Sequence, residues 1–83
     1  MNPPDVTLAE LVEALAPLGA SVGTDPQGRF FAQNADGRRF PLRLDASRGG
    51  WVPGMHVVLM AEELGLDHGD IMGNVQQARE VGG

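Results

Sequence analysis

Apolar residues recur along this chain with two different periods, and the change of period marks out its architecture. "VTLAELVEALAPL", residues 6–18, predicts the first helix, with Leu8, Leu11, Val12 and Leu15 three or four apart along one side of it. Thr7 fits the N-cap, with Glu10 three residues on as its capping-box partner. Pro17 removes a backbone donor near the end, and Gly19 suits the left-handed position beyond the last turn. From Ala20 the period shortens to two. "ASVGT" predicts a short strand, "DPQG" carries Pro and Gly where a type I turn takes them, and "RFFAQ" and "RRFPLRL" flank "NADG" as the arms of a hairpin.

A type I turn closed by Gly37 in the left-handed conformation gives a three-residue loop, Ala35 to Gly37, with a bulge at the glycine. That loop fixes the pairing. Asn34 faces Arg38, Gln33 faces Arg39, Ala32 faces Phe40, Phe31 faces Pro41, Phe30 faces Leu42 and Arg29 faces Arg43. Side chains alternate between faces, so Phe30, Ala32, Phe40, Leu42 and Leu44 share a face suited to a core. Arg29, Phe31, Gln33, Arg39, Pro41 and Arg43 share the other. A slip of one residue would mix Arg with Phe on both faces. Pro41 has no N–H to give to a ladder, which places its strand at a sheet edge.

"ASRGG" reads as a loop. Pro53 fits the first position of a second helix over 53–64, ended by Gly65, with Leu66 as the apolar contact beyond the cap. Asp67 can cap a third helix, with Asp70 in its first turn and Ile71, Val75 and Ala78 along one side. Gly69 and Gly73 each weaken that helix by about 1 kcal/mol relative to alanine. Residues 1–5 and 80–83 are expected to fray. The expected fold is a single small two-layer α+β domain over 1–83: helix, three-stranded antiparallel meander, helix and short C-terminal helix.

The formal net charge of −5 is unevenly spread. Residues 1–28 hold four acids and no base, residues 29–48 hold five arginines against two acids, and residues 49–83 hold five acids against Arg79 alone. A basic island thus lies between acidic ends, and every base in it is arginine. The acidic balance argues against strong electrostatic binding of nucleic acid, which rests on clustered cations. There is no cysteine, so no disulfide framework and no thiolate ligand or nucleophile. Asp5, Glu10 and Glu13 interrupt residues 1–20, so no secretory signal is expected there, and no apolar run approaches a membrane span. A cytoplasmic location is the expectation.

The stretch "VPGMHVVLMAEELGLDHGD" concentrates both histidines and four carboxylates, but it lacks ligand spacing. At three and four residues from His56 stand Leu59 and Met60, and His68 lies only two from Asp70 at a helix start. The hydroxyls are Thr7, Ser21, Thr24 and Ser47, and with neither cysteine, lysine nor tyrosine an activated nucleophile has few sources. "SRGGWVPG" is glycine-rich without the lysine or spacing of a phosphate loop. No catalytic residue, metal or cofactor is expected, which inclines the reading away from an enzyme. The hairpin's outer face is the stronger candidate. Arg29, Arg39 and Arg43 can pair with carboxylates or phosphates, and Phe31 can stack on a base. Trp51 is a further candidate anchor for a partner. The expectation is an interaction module that binds a protein partner or a second copy of itself through the sheet's outer face or edge, with RNA as the alternative ligand.

"PLGA" at the end of the first helix, the hairpin "GRFFAQNADGRRFPLRL" and "VPGMHVVLMAEELGL" together resemble the HicA family of small toxin ribonucleases over roughly residues 8–72. The resemblance implies a fold related to the double-stranded RNA-binding domain and an RNA-like or partner surface. In that family a histidine follows the glycine that opens the second strand. Here Gly28 is followed by Arg29, Phe30 and Phe31, so the resemblance implies a relative without that chemistry, and the alternative function it suggests is an RNA-binding or ribonuclease toxin using the basic hairpin.

Overall fold

The structure is a computed structural model and describes residues 3–44 and 50–82. In chain order it contains β1 (Val6–Thr7), α1 (Leu8–Leu15), a 3-10 turn (Ala16–Leu18), β2 (Ser21–Thr24), β3 (Phe30–Gln33), β4 (Arg39–Pro41), β5 (Trp51–Val52), α2 (Gly54–Leu64) and α3 (His68–Gly82). The α+β class is as expected. β2, β3 and β4 form the antiparallel meander, with Val22 opposite Ala32 and Ala32 opposite Phe40. The expected loop at 46–50 lies outside the described residues apart from Gly50.

Each helix start follows from its local sequence. Thr7 N–H donates to Glu10 Oε1 at 2.9 Å and Glu10 N–H to Thr7 Oγ1 at 3.1 Å, so the capping box forms. A cap residue is extended, and Thr7 therefore leaves Val6 and itself free to pair with Val52 and Trp51. This corrects the expectation of helix from residue 6. Pro53 stands at the N-cap of α2, one position earlier than expected, and its carbonyl accepts from His56 and Val57 N–H. At the other end Leu66 N–H reaches Ala61 O at 2.8 Å past Gly65, closing the helix as the glycine and leucine predict. Asp67 Oδ1 accepts from Gly69 N–H and Asp70 N–H, and α3 then runs 15 residues, longer than the short helix expected.

The core lies between the sheet and the helices. Leu11 and Leu15 of α1, Val57 and Met60 of α2, and Ile71 and Val75 of α3 meet Val6 and Val52 of the small β1–β5 ribbon with no exposure above 1%. Ala32 and Leu42 are buried on the sheet's inner face, and Phe30, Phe40 and Leu44 pack against the same cluster, as their alternation predicts. Asn74 Nδ2 donates to Ala14 O, occupying a carbonyl that the end of α1 leaves open. Pro3 to Asp5, expected as a frayed lead-in, run beside Gly54, and residues 80–82, expected as a frayed tail, continue α3. No helix among the described residues is long and apolar enough to cross a membrane.

Candidate functional site: the arginine face of the hairpin

Two turns shape this face, and both use one device. In "DPQGR" Asp25 Oδ1 accepts from Gln27 N–H at 2.9 Å and Arg29 N–H at 2.8 Å, while Gly28 N–H reaches Asp25 O. In "NADGR" Asn34 Oδ1 accepts from Asp36 N–H at 3.0 Å and Arg38 N–H at 2.9 Å, while Gly37 N–H reaches Asn34 O. A side-chain oxygen at the first position thus organises four residues, and glycine at the fourth takes the positive φ that the bulge needs: 81° at Gly28 and 88° at Gly37. The second turn sets the register: Gln33 opposite Arg39, Ala32 opposite Phe40 and Phe31 opposite Pro41. Leu42 N–H bonds Phe30 O, which extends the predicted pairing one step beyond the strand.

The register puts Phe31 and Arg39 on the outer face as expected, and adds a contact that was not. Phe31 lies opposite Gly23 on β2, and its ring leans across that glycine; a Cβ there would stand 2.7 Å from the ring's Cζ. Glycine inside a strand often marks such a close approach, which is the signal in the sequence that points to it. Arg39 Cζ sits 4.2 Å from the Phe31 ring centroid, and Arg39 Nε donates to Gln33 Oε1 at 3.1 Å. The guanidinium is therefore held over an aromatic ring with one of its donors tied to Gln33, and neither terminal nitrogen has a hydrogen-bond partner among the described residues.

Three of the five described arginines are matched to carboxylates. Arg29 pairs with Asp25 at 3.7 Å and also donates to Gln27; Arg38 reaches Glu63 on α2 at 2.5 Å; Arg79 reaches Glu10 at 2.5 Å. Arg39 and Arg43 have no carboxylate partner among the described residues. Both lie on the exposed face of one strand and its continuation.

A cleft of about 470 Å³ gathers this chemistry: Arg29, Arg39 and Arg43 line it with Phe31, Pro41 and Leu42, and Asp25, Phe30 and His56 complete it. Four of the five expected site residues thus share one depression. Trp51 does not join them. It is half-buried in β5, paired with Thr7, where it closes the β1–β5 ribbon. His56, for which the sequence offers no ligand partner, reaches the site from α2. Its Nε2 lies 2.9 Å from Pro41 O and 3.1 Å from Arg43 N, and its ring lies 5.1 Å from that of Phe40. A ring nitrogen serves one of those groups at a time, donating to the carbonyl when protonated and accepting from the amide when not. Either way the imidazole occupies the outward-facing backbone of β4.

That placement changes what the edge can do. β4 is an outer strand of the sheet, Pro41 offers no N–H, and His56 covers the next carbonyl and amide. A strand added along β4 finds little ladder to join. His68 stands at the start of α3 and is not among the cleft-lining residues, and its Nε2 has no hydrogen-bond partner among the described residues. Among those residues no three His, Asp or Glu side chains group as a metal site. Against protein-family models, curated proteins and solved structures the chain finds no match.

Proposed function

We propose that this domain is a non-enzymatic interaction module that docks a protein partner through the outer face of the β3–β4 hairpin, with Arg39 as the anchor. The observation that supports this reading is the fixed guanidinium: stacked on Phe31, tethered by Gln33 and unmatched by any described carboxylate. An arginine held in its bound geometry loses less entropy on binding than a free one, and such residues dominate interface energetics. The face is favoured over the β4 edge because Pro41 and His56 occupy that edge.

The test compares wild type with Arg39→Glu. The variant should keep the wild-type circular dichroism and unfolding curve, since Arg39 is exposed and, among the described residues, ties only to Phe31 and Gln33. Affinity capture followed by mass spectrometry, alongside sedimentation for self-association, should then show one specific complex that Arg39→Glu abolishes. A complex retained in full by the variant overturns the reading. The second reading, a relative of the HicA toxins that binds RNA, draws on the same arginines and predicts salt-sensitive RNA retention at low ionic strength.

A further inference from the structure

We infer that the occupant of this face is an extended acidic peptide segment whose carboxylates stand about four residues apart. The inference rests on the hairpin face being the docking surface, and it adds the chemistry and the conformation of what docks there.

Charge complementarity supplies the first argument. Arg39 and Arg43 are the two described guanidiniums without carboxylates, and both line the same cleft. Spacing supplies the second. The two residues lie four apart along β4 and its continuation, where Leu42 N–H still holds the ladder to Phe30 O. At about 3.3 Å per residue their backbone origins are about 13 Å apart, a span that carboxylates four residues apart on another extended chain match to within the reach of the arginine side chains. A helical segment would have to space its carboxylates about eight residues apart to span the same distance. Each carboxylate can take two parallel N–H bonds from a guanidinium, and Arg39 has its two terminal nitrogens open for that.

Nucleic acid fits the same surface less well. The Arg39 guanidinium covers the Phe31 ring, so a base has no open aromatic face on which to stack. The two described guanidiniums without carboxylates neutralise few phosphates, and the chain around them carries a net charge of −5, which repels a long polyanion while leaving a short acidic segment largely unaffected. The apolar walls at Pro41 and Leu42 suit peptide side chains between the two acids.

Fluorescence anisotropy tests this with three labelled probes: a ten-residue Ser/Thr/Val peptide with aspartates four apart, the same peptide with asparagines there, and an oligouridylate of equal length. The aspartate peptide should bind at low salt, and the asparagine version should lose about tenfold or more, the effect of removing one or two charged hydrogen-bond partners. Arg39→Gln and Arg43→Gln should each cost about tenfold, and Arg39→Lys several-fold despite its kept charge, because lysine lacks the planar fork. Equal binding of the two peptides, or none of the aspartate peptide at millimolar concentration, overturns the inference. Tighter binding of oligouridylate that depends on Arg39 also overturns it, yet leaves the face standing as the docking surface. If Arg39→Gln alters no probe and no captured complex, the docking reading falls with it.

Discussion

Asn34 and Asp25 occupy equivalent positions in two turns of one design, and exchanging amide and carboxylate matters more at Asn34, because Asp25 adds only an exposed pair with Arg29. Both present Oδ1 to two backbone N–H groups. Asn34 also donates Nδ2 to Leu64 O at 3.1 Å, tying the hairpin to the last turn of α2 beside the Arg38–Glu63 pair. Asn34→Asp keeps the turn, as Asp25 demonstrates, but replaces a donor by a negative charge facing a carbonyl at a helix C-terminus. Urea unfolding should register a loss of about 1–3 kcal/mol, with Asp25→Asn close to neutral in comparison. Gly23 matters in a different way. Gly23→Ala brings a methyl to 2.7 Å from Phe31 Cζ and turns the ring away, which is cheap for a hinged side chain: about 1 kcal/mol of stability. The larger consequence falls on Arg39, whose platform goes. Its Nε–H resonance in NMR spectra, distinct while bonded to Gln33, should collapse toward the position of a free arginine. A resonance unchanged in Gly23→Ala would show that Gln33 alone holds the guanidinium.

The start of α2 depends on a segment that lies far from it in sequence. Asp5 Oδ1 accepts from Gly54 N–H at 2.8 Å, supplying the cap that Pro53 lacks, and the Pro3 carbonyl presses on Gly54 so closely that a Cβ would stand 2.0 Å from it. Asp5→Ala should cost about 1 kcal/mol, the usual effect of losing a side-chain cap. Gly54→Ala should be destabilising in thermal unfolding although alanine is the better helix former, because Pro3 and Pro4 must lift away and take Asp5 with them. The double variant should therefore cost less than the two losses added, since both act through one contact. This contact also shows which parts of the fold are legible in the sequence. The hairpin register, the glycine stops and the Thr7–Glu10 and Asp67 caps all rest on neighbours within a few residues, where period and turn chemistry speak directly. The β1–β5 ribbon joins two-residue strands separated by more than forty positions, too short to show a period. His56 escaped for the same reason: its partners belong to β4, and no spacing along α2 announces them. Of the site, the arginine face was legible because alternation sorts side chains by face; the stack that fixes Arg39 was not, because it needs Gly23 from a third strand.

Glu10 links the caps to the packing of α1 against α3, and through it the stability of the folded domain should depend on pH. Its carboxylate accepts from Thr7 N–H and takes two bonds from Arg79, at 2.5 Å from Nε and 3.0 Å from Nη2, while Arg79 Nη2 also reaches Asp5 O at 3.3 Å. The charged bonds from Arg79 come first among the causes that hold the Glu10 carboxyl down at about 2, from an ordinary 4.5; the Thr7 N–H adds to them, and partial burial opposes. Arg79 is in turn shifted further upward by Glu10. A carboxyl with a lowered folded value binds protons more readily when unfolded. Its contribution is then complete above pH about 4.5 and is lost as the pH falls toward about 2. With the Arg79 side chain 37% exposed, solvent screening leaves about 1–2 kcal/mol of the effect. Arg79→Met keeps the aliphatic stem over the helices and removes the pairing, so it should lower the unfolding free energy at pH 7 by about that amount. It should also flatten the part of the stability profile between pH about 4.5 and about 2 that Glu10 supplies. Curves for wild type and variant that stay parallel through this window, measured by urea unfolding at each pH, would show that Arg79 anchors α3 through packing and that the Thr7 cap alone sets the titration of Glu10.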